Sequence, residues 1–167
     1  FVSYARTESG VQAFWLDGRE MVEDGESMRL RTALLRDGHI GESTVLDARV
    51  CECCATDAAV VAGGAIVVYR DRSDDEIRDI RLVRAEGKDW SEPILVAADG
   101  WLIHGCPVNG PALAADSSVV AAGWFTSAHH LPRAPAALSL AHGARVPSPV
   151  LIHHAPLYRR FVPPSES

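Results

Sequence analysis

Four cysteines offer the clearest chemistry in the sequence. Cys51, Cys53 and Cys54 form a Cys-x-Cys-Cys cluster, and Cys106 follows later in the chain, two residues after His104. Thiolate and imidazole groups are ligands that suit zinc and copper(I). The alternatives are two disulfides, or one disulfide and two free thiols, which would link neighbouring elements in an oxidising compartment. A disulfide between the vicinal Cys53 and Cys54 would be strained.

A second group of interest is an arginine that recurs in each third of the chain. Arg29, Arg78 and Arg133 are separated by 49 and 55 positions (78 − 29 and 133 − 78). Three guanidinium groups on one face could bind a carboxylate through paired hydrogen bonds. They could equally form ion pairs within the scaffold. The aspartates available for such pairs are Asp17, Asp71 and Asp79.

The composition is that of a globular protein, and it argues against two classes of partner. The 167 residues are 47% hydrophobic and 23% charged, which is the usual balance for a soluble domain. The net charge of −6 and the single lysine, Lys88, argue against nucleic acid, because binding a phosphate backbone requires clustered positive charge. No apolar run reaches the roughly 20 residues of a membrane-spanning helix. We therefore expect no nucleic-acid partner and no membrane span.

The elements that must position these groups belong to a repeat of roughly fifty residues. Each repeat contains a short apolar strand with an aromatic residue, and these aromatics, Trp15, Tyr69 and Trp124, are separated by 54 and 55 positions (69 − 15 and 124 − 69). A polar loop, a strand, a glycine-containing turn and a last strand follow in each repeat. The predicted strands after the loop cover residues 28–35, 77–84 and 132–139, and the last strands end at Leu46, Val96 and Ile152.

Repeats two and three also contain a short strand before the aromatic one, at residues 58–61 and 111–114, which gives four strands per repeat. Four antiparallel strands in each repeat are typical of the blades of a β-propeller. A β-sandwich with similar strand spacing is the alternative. No helix is predicted, and the acidic residues 73–76 are expected in a loop.

We therefore predict an all-β protein that forms part of a propeller. The propeller would cover residues 1–162, with blades at 1–46, 57–96 and 110–152, and residues 163–167 would be a disordered tail. Three blades cannot bury both of their lateral faces, so further blades or other subunits are expected as partners that complete the propeller.

Four motifs resemble those of a known family. They are Trp15-Leu16-Asp17-Gly18-Arg19, Cys51-Glu52-Cys53-Cys54, Tyr69-Arg70-Asp71-Arg72-Ser73 with Glu76-Ile77-Arg78-Asp79-Ile80, and Gly105-Cys106-Pro107-Val108-Asn109-Gly110-Pro111. Through them the chain resembles the bacterial sialidase-like (BNR-repeat) propellers over roughly residues 1–128, and more weakly beyond. The Asp-box turn of true sialidases is present only in a degenerate form at residues 86–90. The resemblance therefore implies an architecture rather than an activity.

The resemblance also suggests one enzymatic alternative. The sialidase route uses an acid/base carboxylic acid and a tyrosine nucleophile that a glutamate activates, and sialidases bind the carboxylate of their substrate with three arginines. Asp71 and Glu76 are the candidate catalytic carboxylates. Tyr69 lies where the repeat places the core aromatics Trp15 and Trp124, so we predict that it packs in the core instead.

Blade geometry predicts that these groups share one face. In a four-stranded blade, the loop between the second and third strands lies on the same face as the crossing to the next blade. The crossings at residues 47–56 and 97–109 contain all four cysteines, and the loop at 72–76 belongs to the same face. The cysteines are then expected at two successive blade entries, close enough to be neighbours.

The leading functional hypothesis is an extracytoplasmic module, periplasmic or secreted, that binds a ligand or a metal or serves as a structural subunit. Zinc or copper would be bound by Cys51, Cys53, Cys54, Cys106 and His104. A glycan or small anionic ligand would be bound by Arg29, Arg78, Arg133 and Asp71. The alternative is an exo-acting, sialidase-type glycoside hydrolase for acidic sugars. The sequence leaves open whether the protein is an enzyme.

Overall fold

The chain folds into successive antiparallel β-sheets. The computed structural model describes residues 1–23, 25, 27–116 and 120–128. Over these residues every strand pairing is antiparallel, and one short helix accompanies the strands. The predicted all-β class is confirmed, and no sheet closes on itself within the described residues.

The first sheet is an antiparallel meander. Its elements are β1 (Val2–Thr7), β2 (Gly10–Asp17), α1 (Arg19–Glu23), β3 (Arg29–Arg36), β4 (His39–Ile40) and β5 (Thr44–Asp47). β1 pairs with β2, and β2 pairs with β3. The outer edge of β3 pairs with β4 near its end and with β5 near its start. The fourth strand of the sheet is thus split into two short pieces.

The second sheet repeats this order. Its strands are β6 (Asp57–Val61), β7 (Gly64–Arg70), β8 (Ile80–Glu86), β9 (Asp89–Trp90) and β10 (Ile94–Ala97). β6, β7 and β8 pair in sequence, and β8 pairs with both β9 and β10. The tight turn from β6 to β7 requires glycine, because Gly63 and Gly64 have φ angles of 98° and 133°, where a side chain would be strained.

A third, two-stranded sheet follows, formed by β11 (Ala112–Ala115) and β12 (Val120–Gly123). The first strands of the three sheets lie against one another, because β1 contacts β6 and β6 contacts β11. The second sheet is therefore covered on both faces by its neighbours. The later strands predicted for the third repeat, and the tail at 163–167, lie outside the described residues.

The packing of β7 shows how the sheets share two cores. Successive side chains of a strand point to opposite faces, and in β7 both faces are buried. Val67 and Tyr69 pack in a cluster with Phe14 of the first sheet. Ile66 and Val68 pack in a second cluster with residues of the third sheet, such as Val120, and with Trp124 just after it. A strand buried on both faces reads as a continuous apolar run rather than an alternating one, as β7 does.

Two elements differ from the sequence-based expectation. The predicted absence of helix was wrong, because α1 forms one turn after Asp17, whose carboxylate accepts a hydrogen bond of 3.2 Å from the backbone N–H of Arg19. The first repeat also has a leading strand, β1, whereas the sequence predicts such a strand only for repeats two and three. Among the described helices, none is long and apolar enough to cross a membrane.

Candidate functional site

Three irregular segments meet at one end of the sheets. The first crossing (residues 48–56) connects β5 to β6, the second crossing (98–111) connects β10 to β11, and the β7–β8 loop covers residues 71–79. Val50 joins the first crossing to the start of the loop through a β-bridge, and Leu102 joins the second crossing to the loop near its end. These pairings bring the cysteine-bearing crossings and the arginine-bearing loop together.

The four cysteines form one group at this junction. The Sγ atom of Cys51 lies 2.9 Å from that of Cys54 and 3.8 Å from that of Cys53. Cys53 forms a disulfide with Cys106, and the Cα atoms of this pair are 6.1 Å apart. Cys51 and Cys54 are free thiols. The arrangement is one disulfide beside a dithiol, which is one of the alternatives that the sequence leaves open.

A glycine allows the two crossings to approach closely enough for this disulfide. A Cβ atom added at Gly110, in the second crossing, would overlap the backbone carbonyl group of Ala55 in the first. Real side chains do not tolerate such an overlap, so only glycine fits without a shift of the backbone. Of the two glycines in the motif at residues 105–111, Gly110 is therefore required by packing.

The two halves of the cysteine group differ in their access to solvent. Cys51 and Cys54 are each only 1% exposed. Cys53 is half-buried and Cys106 is exposed. A reagent in solution can therefore reach the disulfide at Cys106, whereas the dithiol lies beneath the surface.

Arg78 connects the cysteine group to two carboxylates. Its side chain is 4% exposed and donates a hydrogen bond of 3.1 Å to the Sγ atom of Cys51. The same guanidinium donates to the carboxylates of Glu52, at 3.2 Å, and Glu76, at 3.0 Å. One buried cation thus faces two carboxylates and a thiol that it can stabilise as a thiolate.

Arg70 is a second buried cation, and it fixes the backbone around the site. Its guanidinium donates to three carbonyl oxygens, those of Asn109 at 2.9 Å, Arg78 at 2.6 Å and Phe125 at 2.7 Å, and lies 4.9 Å from the ring centre of Trp101. Burial lowers the pKa of Arg70. Within the described part of the chain, no carboxylate forms an ion pair with it. Its positive charge is compensated by the three carbonyl groups and by the neighbouring sulfur atoms of Cys51 and Cys54.

The hydrogen bond between Cys51 and Cys54 separates the pKa values of these two buried thiols. The pKa of Cys51 is lowered to about 5, chiefly because of its hydrogen bond with Cys54, with further contributions from the backbone N–H of Cys53 and from Arg78. The pKa of Cys54 is raised, because its proton is engaged by Cys51 and because the thiol is buried. Cys51 is therefore the more acidic thiol of the pair.

An outer layer of ion pairs covers the site. Arg72 forms ion pairs with Glu52 and with Glu76, the latter at 2.7 Å. Arg49 lies 2.9 Å from the carboxylate of Asp74. The hydrogen bonds from Arg72 are the largest cause of the low pKa of Glu76, which is about 2. Each carboxylate of this layer is therefore already bound by a cation of the chain itself.

Glu76 also has an unusual backbone. Its φ angle of 61° lies in the left-handed region, which non-glycine residues seldom occupy. Its backbone N–H donates to the carbonyl of Ser73 at 3.1 Å, and its carbonyl accepts from Ile103 of the second crossing at 3.1 Å. These bonds turn the loop so that the carboxylate reaches both Arg72 and Arg78. Such local strain recurs at functional sites.

The candidates for glycoside hydrolysis are engaged within the scaffold. The side chain of Tyr69 is fully buried, as predicted for a core aromatic, and its hydroxyl donates a hydrogen bond of 2.6 Å to Asp47. Asp71 is nearly buried and lies 2.6 Å from Arg81. Burial raises the pKa of Asp71. Glu76, the second candidate carboxylate, has the arginine partners described above.

The described arginines of the predicted clamp lie in separate groups. Arg29 forms an ion pair of 2.5 Å with Glu20 of α1, whereas Arg78 lies beside the cysteines. The strand register explains the difference: Trp15 lies opposite Arg31, and Tyr69 lies opposite Arg81. Arg31 and Arg81 are therefore the residues at matching positions of the two sheets, and Arg29 and Arg78 are not. Arg133 lies outside the described residues.

The matching arginines bind the aspartate that follows the aromatic residue in each sheet. Arg31 lies 3.5 Å from Asp17, and Arg81 lies 2.6 Å from Asp71. These pairs are scaffold contacts of the kind considered as the alternative to a clamp. Asp79, the third predicted partner, accepts a hydrogen bond of 3.3 Å from the backbone N–H of Trp101.

Among the described residues, one group has sulfur, nitrogen or carboxylate atoms placed to bind a metal ion. The Sγ atoms of Cys51, Cys53 and Cys54 all lie within 4.8 Å of one another. His104 is exposed in the second crossing and is not part of this group. The sequence reading did not single out Glu52, Arg70 or Arg72 as part of the site. Their arrangement depends on strand register and loop shape, which the residue types alone do not give.

The site combines a buried dithiol, an accessible disulfide and two buried cations, a set that suits soft-metal binding and thiol–disulfide chemistry. Comparison of the chain with family profiles, characterised proteins and solved structures gives no match.

Proposed function

We propose that the chain is an extracytoplasmic, sialidase-like propeller segment whose cysteine group binds a soft metal ion, copper(I) or zinc, in its reduced state. The observation that carries this proposal is the mutual approach of three Sγ atoms to within 4.8 Å. Thiolates select such ions over hard cations such as calcium or magnesium.

The number of available thiolates decides which metal fits. With the Cys53–Cys106 disulfide intact, Cys51 and Cys54 supply two thiol ligands, which is too few for a tetrahedral zinc site. Reduction of that disulfide adds up to two more sulfur ligands and completes a set of four. We expect copper(I) to bind with fewer sulfur ligands and zinc to require the fully reduced group.

The charges around the cluster support binding of a metal–thiolate group. Bringing several thiolates together accumulates negative charge that must be compensated when buried. Arg78 already donates to Cys51, and Arg70 is buried nearby with no ion-pair partner in the described part of the chain. These two cations favour a metal–thiolate group, because such a group has a net negative charge. The exposed His104 is a further candidate ligand of the metal.

The propeller and the compartment belong to the same proposal. Successive antiparallel meanders whose first strands contact one another support the blade interpretation. The disulfide supports an oxidising, extracytoplasmic location. The glycosidase alternative has no comparable support, because the carboxylates and arginines described for it bind one another.

Metal titration of the reduced protein tests the proposal. The full chain would be reduced, freed of reductant without oxygen, and titrated with copper(I) or zinc while native mass spectrometry records the bound ions. We expect one or more copper(I) ions per chain, and a loss of binding in Cys51→Ser and Cys54→Ser. A reduced, folded protein that binds neither ion would overturn the proposal.

Paired histidine substitutions test the predicted nitrogen ligand. His104→Ala is compared with His39→Ala, because both histidines are exposed and only the first lies near the cysteines in sequence. Weaker metal binding in His104→Ala alone would identify His104 as a ligand. Equal binding in both variants would assign the site to sulfur alone.

A further inference from the structure

The two free cysteines are spaced as a redox pair. Cys51 and Cys54 form a Cys-x-x-Cys sequence, the spacing of many dithiols that exchange with disulfides. Their Sγ atoms lie 2.9 Å apart, so a bond between them requires little movement. A third sulfur, that of Cys53, lies 3.8 Å from Cys51 and is already part of a disulfide. An oxidant and its reductant thus lie side by side.

We propose that Cys51 and Cys54 are a redox-active dithiol that exchanges with the Cys53–Cys106 disulfide, which moves the disulfide from the exposed to the buried pair. This activity goes beyond metal binding and does not depend on it. The proposal rests on three features of the described residues: the Cys-x-x-Cys spacing, the two short Sγ distances and the contrast in exposure between the pairs.

The exchange balances without an external reagent. The Cys51 thiolate attacks the Sγ atom of Cys53, so that a Cys51–Cys53 bond forms while the Cys53–Cys106 bond breaks, and Cys106 leaves as a thiolate that takes a proton from water. Cys54 then gives its proton to water and attacks Cys51 as a thiolate, so that a Cys51–Cys54 bond forms while the Cys51–Cys53 bond breaks. Cys53 leaves as a thiolate that takes a proton from water. In total Cys51 and Cys54 have lost two electrons, which Cys53 and Cys106 have gained, and the protons are exchanged with water.

The exchange would change how the second crossing is attached. Before it, the crossing is tied covalently to the first crossing through Cys106. Afterwards the attachment depends on hydrogen bonds, such as those from Arg70 to Asn109 and from the backbone N–H of Arg78 to Trp101 at 2.9 Å. Cys106 becomes an exposed thiol that small disulfides in solution can oxidise. The buried pair is then closed to metal ions.

The tryptic map of the chain provides a direct readout. Residues 50–70 contain Cys51, Cys53 and Cys54, and residues 89–133 contain Cys106, with no lysine or arginine inside either segment before its end. The Cys53–Cys106 disulfide joins these two peptides. After exchange the peptides separate, and peptide 50–70 contains an internal disulfide.

The experiment uses the oxidised full chain, without added thiol or metal and without oxygen, in the presence of a bulky hydrophilic maleimide. We expect the maleimide to trap Cys106 as it is released, while peptide 50–70 gains its internal disulfide. Cys51→Ser should lose this labelling. Cys54→Ser should still release Cys106 but stop at a Cys51–Cys53 disulfide.

The wild-type protein alone can overturn the proposal, because the cysteines that the maleimide labels show whether the exchange takes place. The test therefore does not depend on the folding of a variant. In the wild type, maleimide on Cys51 and Cys54 with peptides 50–70 and 89–133 still joined would overturn the proposal. Because no metal is present, this outcome is independent of any failure to bind copper(I) or zinc.

Discussion

The guanidinium of Arg78 donates a hydrogen bond of 3.1 Å to the Sγ atom of Cys51. This contact joins the β7–β8 loop to the first crossing and places a buried positive charge beside the thiol of Cys51, whose pKa is lowered. It also links the cysteines to the outer ion pairs, since the same side chain binds Glu52 and Glu76. Arg78 therefore contributes both to the chemistry of the cysteine group and to the stability of this end of the protein.

Removal of the Arg78 charge should destabilise the fold. Arg78→Gln removes a buried cation that donates to Glu52 and Glu76, and although Arg72 still pairs with both carboxylates, the loss of a hydrogen bond to a charged group typically costs about 1.5 to 3 kcal/mol. Urea denaturation should show a decrease of this size in the free energy of unfolding. Arg84→Gln is the control, because Arg84 pairs with Glu86 at the exposed surface and such pairs contribute less than about 1 kcal/mol. Equal effects in both variants would contradict the role assigned to Arg78.

The hydroxyl of Tyr69 should contribute to stability as a buried hydrogen-bond donor. Tyr69→Phe retains the packing of the ring but removes the bond to the half-buried Asp47, at a cost of about 1 kcal/mol, since this carboxylate still accepts a hydrogen bond from the backbone N–H of Arg49. Tyr69→Leu should cost more, since it also leaves part of the core unfilled. Thermal unfolding of the two variants measures both effects. No loss of stability in Tyr69→Phe would argue that the hydroxyl has a role other than structure.

Acid should weaken the outer ion pairs through Glu76. Its pKa in the folded chain is about 2, against an ordinary value of 4.5, chiefly because Arg72 donates hydrogen bonds to it. Because the folded pKa is the lower one, the stabilisation is fully present above pH 4.5 and is lost as the pH falls toward 2. The free energy of unfolding, measured by denaturation at several pH values, should fall less steeply over this window in Glu76→Gln. Parallel curves for wild type and variant would contradict this assignment.

Parts of the fold could be predicted from the sequence because their signals are local. The recurring aromatic residue and the glycine turns locate β2, β7 and their neighbours. β1 is harder to find, because its buried residues are the small Ser3 and Ala5, whereas Val2 and Tyr4 are exposed. The usual rule that large apolar residues point inward therefore gives the wrong face for this strand.

The candidate site was less accessible to prediction because it depends on register. The connection from β2 to β3 includes α1, whereas the shorter β7–β8 loop turns at Glu76, so a fixed spacing in sequence does not preserve strand positions. Arg29 and Arg78 therefore resemble each other in the sequence but not in the sheets. The cysteine neighbourhood was predicted because two crossings at the same end of adjacent sheets must pass close together.

The close approach of the two crossings gives the sharpest stability test. Gly110→Ala should place a methyl group against the backbone of Ala55, and because neither backbone segment yields easily, the overlap should cost about 1 to 3 kcal/mol. Gly105→Ala is a matched control in the same crossing, since a Cβ there meets nothing within 4 Å. Thermal unfolding of the oxidised proteins should show a lowered midpoint for Gly110→Ala alone.

The Cys53–Cys106 disulfide should also be reduced at a lower concentration of dithiothreitol in Gly110→Ala, because a displaced second crossing no longer holds Cys106 next to Cys53. Equal midpoints and equal reduction in the two variants would mean that the crossings are not packed as described.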